Sequence, residues 1–259
     1  MKTDSYTMKG TPGKKIDLPN QFEQEIREEM IKRAVLSDES KEYQPKGSYR
    51  LAGMETSAKY RGRKGAYGSL KNRGQAMLPR EVRPEGLMGR VAKIPSAKGG
   101  RGAHPPKTEK KIVENINKKE YRKALISAIA ATAHPELVKA RGHLFEKEAP
   151  IVFEDGLEKA KKTKEVLDAL VPVIGKDLDR AKNNRKPRSG IRKRKAGTRT
   201  PKSALIVVSG GDILKSARNI SGVDVVSVDE LKVKHLAPGT HPGRLTVYTE
   251  AALKKIGEL

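Results

Sequence analysis

The chain has no cysteine, no long hydrophobic run and almost no acid in its most basic stretches. Each absence removes a class of protein. Without cysteine there are no disulfides and no thiolate metal ligands, which suits a reducing interior. The first residues, MKTDSYTMKG, lack the apolar segment of a secretory signal, so none is expected. The longest nearly apolar stretch, 124–133, is about half of the roughly 20 residues a membrane-spanning helix needs. Neither G-x-G-x-x-G nor G-x-x-x-x-G-K-[ST] occurs, so the usual phosphate-cradling fingerprints of nucleotide enzymes are missing. The five histidines are scattered, with no H-E-x-x-H, and His104, His134 and His241 precede proline. Glu154, Asp155, Asp177 and Asp179 lie beside lysine-rich helical segments, where surface ion pairs are the default. No nucleophile, general base, metal set or cofactor is nominated, and the expectation is a soluble intracellular chain.

What is present is positive charge, and it is concentrated. Residues 46–107 hold fifteen Lys and Arg against Glu55, Glu81 and Glu85, with eleven glycines. Residues 182–202 hold ten basic residues and no acid. Together these segments carry +22 of the formal net charge of +24, while the other 176 residues are almost neutral. A near-neutral body presenting two cationic segments points to a polyanion, most often nucleic acid. A membrane surface fits less well, because neither segment carries an amphipathic apolar face or a lipidation signal.

The remaining 197 residues are enough for one α/β domain, assembled from 1–45 and 108–259, with 46–107 as an extended insertion. In LPNQFEQEIREEMIKRAV, Phe22, Ile26, Met30 and Ala34 recur every fourth residue behind an Asn20/Glu23 capping box, predicting a helix that ends before Ser37. A second helix, NKKEYRKALISAIAATA, places Leu125, Ala128, Ile129 and Thr132 on one stripe. Two helices therefore bracket the insertion and bring its ends together. From residue 149 onward, short β-branched runs at 151–153, 205–208, 223–228 and 245–248 alternate with helical or turn segments at 158–170, 176–183, 212–220, 229–233 and 250–259. That alternation predicts a mainly parallel sheet covered by helices, without revealing strand order.

Within the insertion, Tyr49, Tyr60 and Tyr67 are interleaved with Arg50, Lys59, Arg61, Arg63 and Lys64. Unstacked RNA bases suit tyrosine and guanidinium faces, and phosphates suit the charges. Lys71, Arg73, Arg90, Lys98 and Arg101 extend the candidate RNA-binding set. The second segment adds Arg185, Lys186, Arg188, Arg192, Lys193, Arg194, Lys195 and Arg199. Leu78, Val82, Leu87, Met88 and Val91 suggest local structure or a protein neighbour in the second half of the insertion. The Gly210, Gly211, Asp212 cluster reads as a turn and helix cap, and competes with a phosphate-holding loop.

The segments LAGMETSAKYRGRKG, KGGRGAHPPKTEK, YRKALISAIAATA, ELVKARGH and LAPGTHPGRLTVYTEAALKKIGEL resemble the universal family of large-subunit ribosomal protein four, in its archaeal form, over essentially the whole chain. The resemblance implies a Rossmann-like three-layer domain on the outer face of the subunit. It also implies a long loop, here 46–107 with its tip near 59–67, that penetrates ribosomal RNA and lines the exit tunnel near its constriction. Implied partners are large-subunit ribosomal RNA, neighbouring ribosomal proteins and the nascent polypeptide. Fully extended, such a loop reaches about 100 Å, against a radius of gyration of about 16 Å for the body. Two other readings stand beside it: a free-standing regulatory RNA-binding protein and a nucleotide-dependent RNA-modifying enzyme.

Overall fold

The alternation of short apolar runs, rich in β-branched residues, with helical segments dictates the architecture of the larger part of the chain. The computed structural model describes residues 1–86, 88–188 and 197–258. The chain divides into two compact units, one comprising Met1–Glu42 with Val113–Leu259 and the other Tyr43–Ile112.

In the first unit, β1 (Lys2–Tyr6) and β2 (Pro12–Asp17) form an antiparallel pair, followed by a 3₁₀ turn at Asn20–Glu23 and helix α1 (Glu28–Ser40). In the second unit, β3 (Arg80–Val82) and β4 (Met88–Val91) pair antiparallel. The first unit resumes with α2 (Lys118–Thr132), α3 (Pro135–Ala140), β5 (Ile151–Phe153), α4 (Thr163–Asn183) and a small hairpin of β6 (Lys186–Pro187) and β7 (Thr198–Arg199). It ends with β8 (Leu205–Val208), α5 (Ile213–Ser216), β9 (Asp224–Ser227), α6 (Val233–Leu236), β10 (Thr246–Thr249) and α7 (Glu250–Gly257). Among the described residues no helix is long and apolar enough to cross a membrane.

The central sheet runs β2-β1-β5-β10-β8-β9, parallel throughout except for the edge strand β2. Side chains alternate faces along each strand. Ile151, Phe153, Ile206, Val208, Val225 and Val247 enter one apolar cluster, with Val166, Leu170 and Ile174 of α4. Val152, Leu205, Val207, Val226 and Tyr248 enter another, with residues of α1, α2 and α7. Helices therefore cover both faces of the sheet. Each fully buried Val, Leu or Ile contributes about 1.5–3 kcal/mol, so this unit has an ample apolar core.

Several boundaries differ from the sequence reading, each for a local reason. The single helix expected from residue 20 is broken at 24–27, where the Ser127 hydroxyl accepts from Arg27 N at 2.7 Å and donates to Glu25 O at 3.1 Å. The α-helix then continues past Ser37, because Ser37 Oγ donates to Glu114 O at 2.6 Å and Ser40 Oγ accepts from Glu114 N at 3.0 Å. These bonds tie together the two stretches of chain that flank the insertion. The two helices expected on either side of 171–175 are one helix, α4, kinked where Pro172 interrupts its hydrogen bonding, with Ile174 at φ −129° and ψ 19°. The pairing of β1 with β2 was not anticipated, since Pro12–Asp17 alternates no apolar residues and is exposed at the sheet edge.

The second unit has short-range structure in place of a bare excursion. Lys59 and Arg80 exchange backbone hydrogen bonds of 3.0 and 3.2 Å, and Ser57 Oγ bonds both backbone groups of Val82 at 3.2 Å. Segment 57–59 thus lies alongside β3, whose other edge carries β4, and Ala58, Leu70 and Ala92 are buried nearby. Farther back, Ser48 N donates to Pro106 O at 3.2 Å. Gly53 has φ +77°, and a Cβ there would stand 2.7 Å from the Arg101 backbone, so only glycine permits this approach. Val82, Met88 and Val91 find their use in the β3–β4 hairpin, while Leu87 lies outside the described residues.

Candidate nucleic-acid interface

The basic residues nominated from sequence fall in two places. Arg50, Lys59, Tyr60, Arg61, Arg63, Lys64, Tyr67, Lys71, Arg73, Arg90, Lys98 and Arg101 belong to the Tyr43–Ile112 unit. Arg61 is half-buried and the others are exposed. Arg185, Lys186, Arg188 and Arg199 are exposed on or beside the β6–β7 hairpin of the other unit. Arg192, Lys193, Arg194 and Lys195 lie outside the described residues.

Most of this charge is uncompensated. Arg90 pairs with Glu81 at 3.1 Å. Among the described residues, no carboxylate pairs with any other nominated cation. Arg61 Nη1 donates to Tyr67 O at 2.9 Å, and Arg185 Nε to Thr198 Oγ1 at 3.0 Å, so these guanidinium groups are oriented by neutral acceptors that leave the charge free.

The tyrosines divide as sharply as the charge. Tyr43, Tyr49, Tyr60 and Tyr67 are 59–76% exposed, and all belong to the second unit. In the first unit Tyr6 and Tyr248 are buried and Tyr121 is half-buried, with its hydroxyl donating to Asp38 Oδ2 at 2.8 Å. Tyr49 donates to Glu55 Oε1 at 2.6 Å, which raises its hydroxyl pKa. Tyr67 donates to Glu85 O at 2.9 Å, drawing segment 61–70 against the β3–β4 turn. Exposed aromatic faces among free cations are the pairing that single-stranded or irregular RNA requires. The candidate set leaves out Tyr43, just outside the composition boundary at 46, and Arg80, Arg83 and Lys93, which the charge count of 46–107 includes.

The β6–β7 hairpin is anchored by a buried polar network. Asp177, fully buried near the end of α4, accepts from Arg180 Nε at 2.9 Å, Ser203 Oγ at 2.5 Å and Leu144 N at 3.0 Å, with His143 Nδ1 at 3.2 Å. Burial alone would raise its pKa, but these bonds outweigh burial and hold the carboxyl well below its usual range. Arg180 Nη2 also donates to Lys202 O at 3.0 Å. The two ends of the cationic segment are therefore fixed to each other.

The crevice beyond the carboxyl ends of parallel strands is where α/β folds usually take ligands. Here the protein's own carboxylates occupy it. Glu158 Oε1 accepts from Ser209 N at 2.7 Å and Thr249 Oγ1 at 2.6 Å, and Asp155 Oδ1 accepts from Ala251 N at 2.7 Å. A phosphate would meet repulsion where a nucleotide enzyme offers amides. Gly210 and Gly211 form the turn after β8 as expected, but the Asp212 side chain makes no capping bond to α5.

Fold and site together define a class: an α/β protein in which one unit holds the apolar core and the other holds the exposed aromatics and most of the candidate cations among the described residues. The chain matches the Ribosomal protein L4/L1 family over residues 16–259, and it belongs to that family, which is one of ribosomal proteins and not of enzymes. It is 45% identical over 259 residues to the large ribosomal subunit protein uL4 of Methanoculleus marisnigri, covering 100% of this chain and 99% of that one. The corresponding protein of Methanospirillum hungatei is 46% identical over 259 residues, with 99% of each chain covered. That of Methanocaldococcus jannaschii is 47% identical over 262 residues, covering 100% of this chain and 99% of its own.

Proposed function

We propose that this chain is a structural constituent of the large ribosomal subunit, resident in cytoplasmic ribosomes, that binds ribosomal RNA through its two cationic segments. The α/β unit, with a Rossmann-like three-layer arrangement, contacts RNA and neighbouring ribosomal proteins. Residues 46–107 enter folded RNA as a long loop and contribute to the exit-tunnel wall near its constriction, where segment 59–67 meets the nascent polypeptide. The mechanism is electrostatic: Lys and Arg relieve phosphate repulsion where RNA helices crowd, and release counterions as they do so. The carrying observation is that every exposed tyrosine and most of the uncompensated candidate cations among the described residues share one unit. Sucrose-gradient fractionation tests the assignment: the chain should co-migrate with large subunits after a high-salt wash. Sedimentation with free protein would favour an autonomous RNA regulator instead. For a purified ribosomal RNA fragment, about ten neutralised phosphates predict a slope of log K against log[salt] of about −7 to −9, and a slope near zero would remove charge as the principal term.

A further inference from the structure

The first unit carries a second concentration of positive charge that lies mostly outside the segments already assigned. The C-terminal end of α3, the loop 238–242, the end of α4 and the stretch following β7 enclose a groove of ≈ 730 Å³. Arg141, Arg180, Arg199, Lys202 and His241 line it, and Glu28 is its one carboxylate among the described residues.

The cations are not equivalent. Arg180 is held by Asp177, and Lys202 Nζ contacts both carboxylate oxygens of Asp224 at 2.8 Å. Arg141 has no carboxylate partner among the described residues. Its two terminal nitrogens donate to the carbonyls of Pro238 and His241, which fix the guanidinium plane and leave its charge uncompensated. Burial and the nearby Arg244 lower its pKa to about 10, so an incoming anion would relieve an existing electrostatic cost. The loop itself is built to stay in place. Gly243 has φ +88°, and a Cβ there would stand 2.8 Å from the Leu137 backbone of α3.

We propose that this groove binds a phosphodiester of an RNA backbone, with Arg141 as its principal ligand, Arg199 and His241 as further donors, and Glu28 as an opposing charge. A rigid guanidinium with free donors suits phosphate oxygens, and the groove lies beside the exposed β6–β7 cations, which an RNA strand would follow. The inference rests on the ribosomal reading only for the kind of polymer, since it concerns a contact on the α/β unit.

The test uses the full-length protein and a 12-base-pair RNA duplex, titrated at several salt concentrations. Arg141→Gln should weaken binding about 3–10-fold and make the salt slope shallower by about one. The Glu28 side chain makes no hydrogen bond or ion pair among the described residues, so Glu28→Gln should leave folding intact and tighten binding by about 2–5-fold. Wild-type binding that is salt-dependent, with both variants unchanged in affinity and slope, overturns the groove while sparing the ribosomal reading. A wild-type chain that fails to bind duplex overturns both. Vesicles of anionic phospholipid form the control arm, and a Glu28→Gln gain there without a gain on RNA overturns the RNA assignment.

Discussion

The two units of this chain are held together by different physics. The Met1–Glu42 and Val113–Leu259 unit has apolar clusters on both faces of a sheet, and its buried charged residues Asp38, Asp177 and Arg244 are hydrogen-bonded. The Tyr43–Ile112 unit buries little more apolar surface than Ala58, Leu70 and Ala92, and relies on a short ladder, turns and glycine. One unit can be stable from its own burial, whereas the other displays what a folded domain normally hides or neutralises. Such a division makes sense where a partner supplies the missing desolvation and countercharge.

Limited trypsin digestion of RNA-free protein should give the largest contrast. Cleavage within 43–112 should precede cleavage in α2 or α4 by about a hundredfold or more, because few buried apolar contacts mean low local opening energies. Equal rates in the two units would break the comparison. Next in size, Asp177→Asn should lower the stability of the α/β unit by about 3–5 kcal/mol, since Arg180 and the surrounding donors lose a buried charge. Ile206→Ala should cost about 2–5 kcal/mol through the cavity it leaves. By contrast, Leu70→Ala should hasten cleavage in its own unit and leave the main calorimetric transition unmoved. A shared loss of midpoint would show the two units unfolding together.

Acid should act on the α/β unit in two stages. His235 is pushed down to about 4, first by burial and then by Lys234, so it is neutral in the fold and protonated in the unfolded chain as pH falls below about 6.5. Stability should therefore decline from about pH 6.5 to 4, and His235→Asn should flatten that window in midpoints measured against pH. Asp177 acts lower: its contribution is complete above about pH 4 and is lost as pH falls towards its depressed folded value. An unchanged profile in the His235 variant would exclude that imidazole as the cause. The smallest effect belongs to the deletion of 61–67, which should move the main transition by no more than about 0.5 kcal/mol. In incorporated subunits the same deletion should alter chemical probing of RNA at the tunnel constriction. Unchanged probing would place the contact elsewhere in 43–112.

Where elements could be read in advance, the pattern was local. Ile151–Phe153 and Leu205–Val208 are apolar runs rich in β-branched residues and too short for helices, and the strands formed where those runs stand. The break at 24–27 was illegible because its cause, the Ser127 hydroxyl, lies about a hundred residues away. Pro172 interrupts the pattern of α4, yet packing of Val166, Leu170 and Ile174 against the sheet carries the helix through it. The nominated cations announced themselves by density alone. Arg141 did not, because ELVKARGH contains no charge run and its significance depends on carbonyls from a loop a hundred residues onward.

Composition by itself determined that charge would segregate from the core, since net charge and apolar content are properties of segments and survive any folding. Periodicity determined a parallel α/β body, because side-chain alternation decides which faces can be buried. Only the tertiary structure decided the strand order, the occupation of the strand-end crevice by Glu158 and Asp155, and the free charge of Arg141. Those depend on which distant groups come within about 3 Å, and hydrogen bonding and desolvation act at that range.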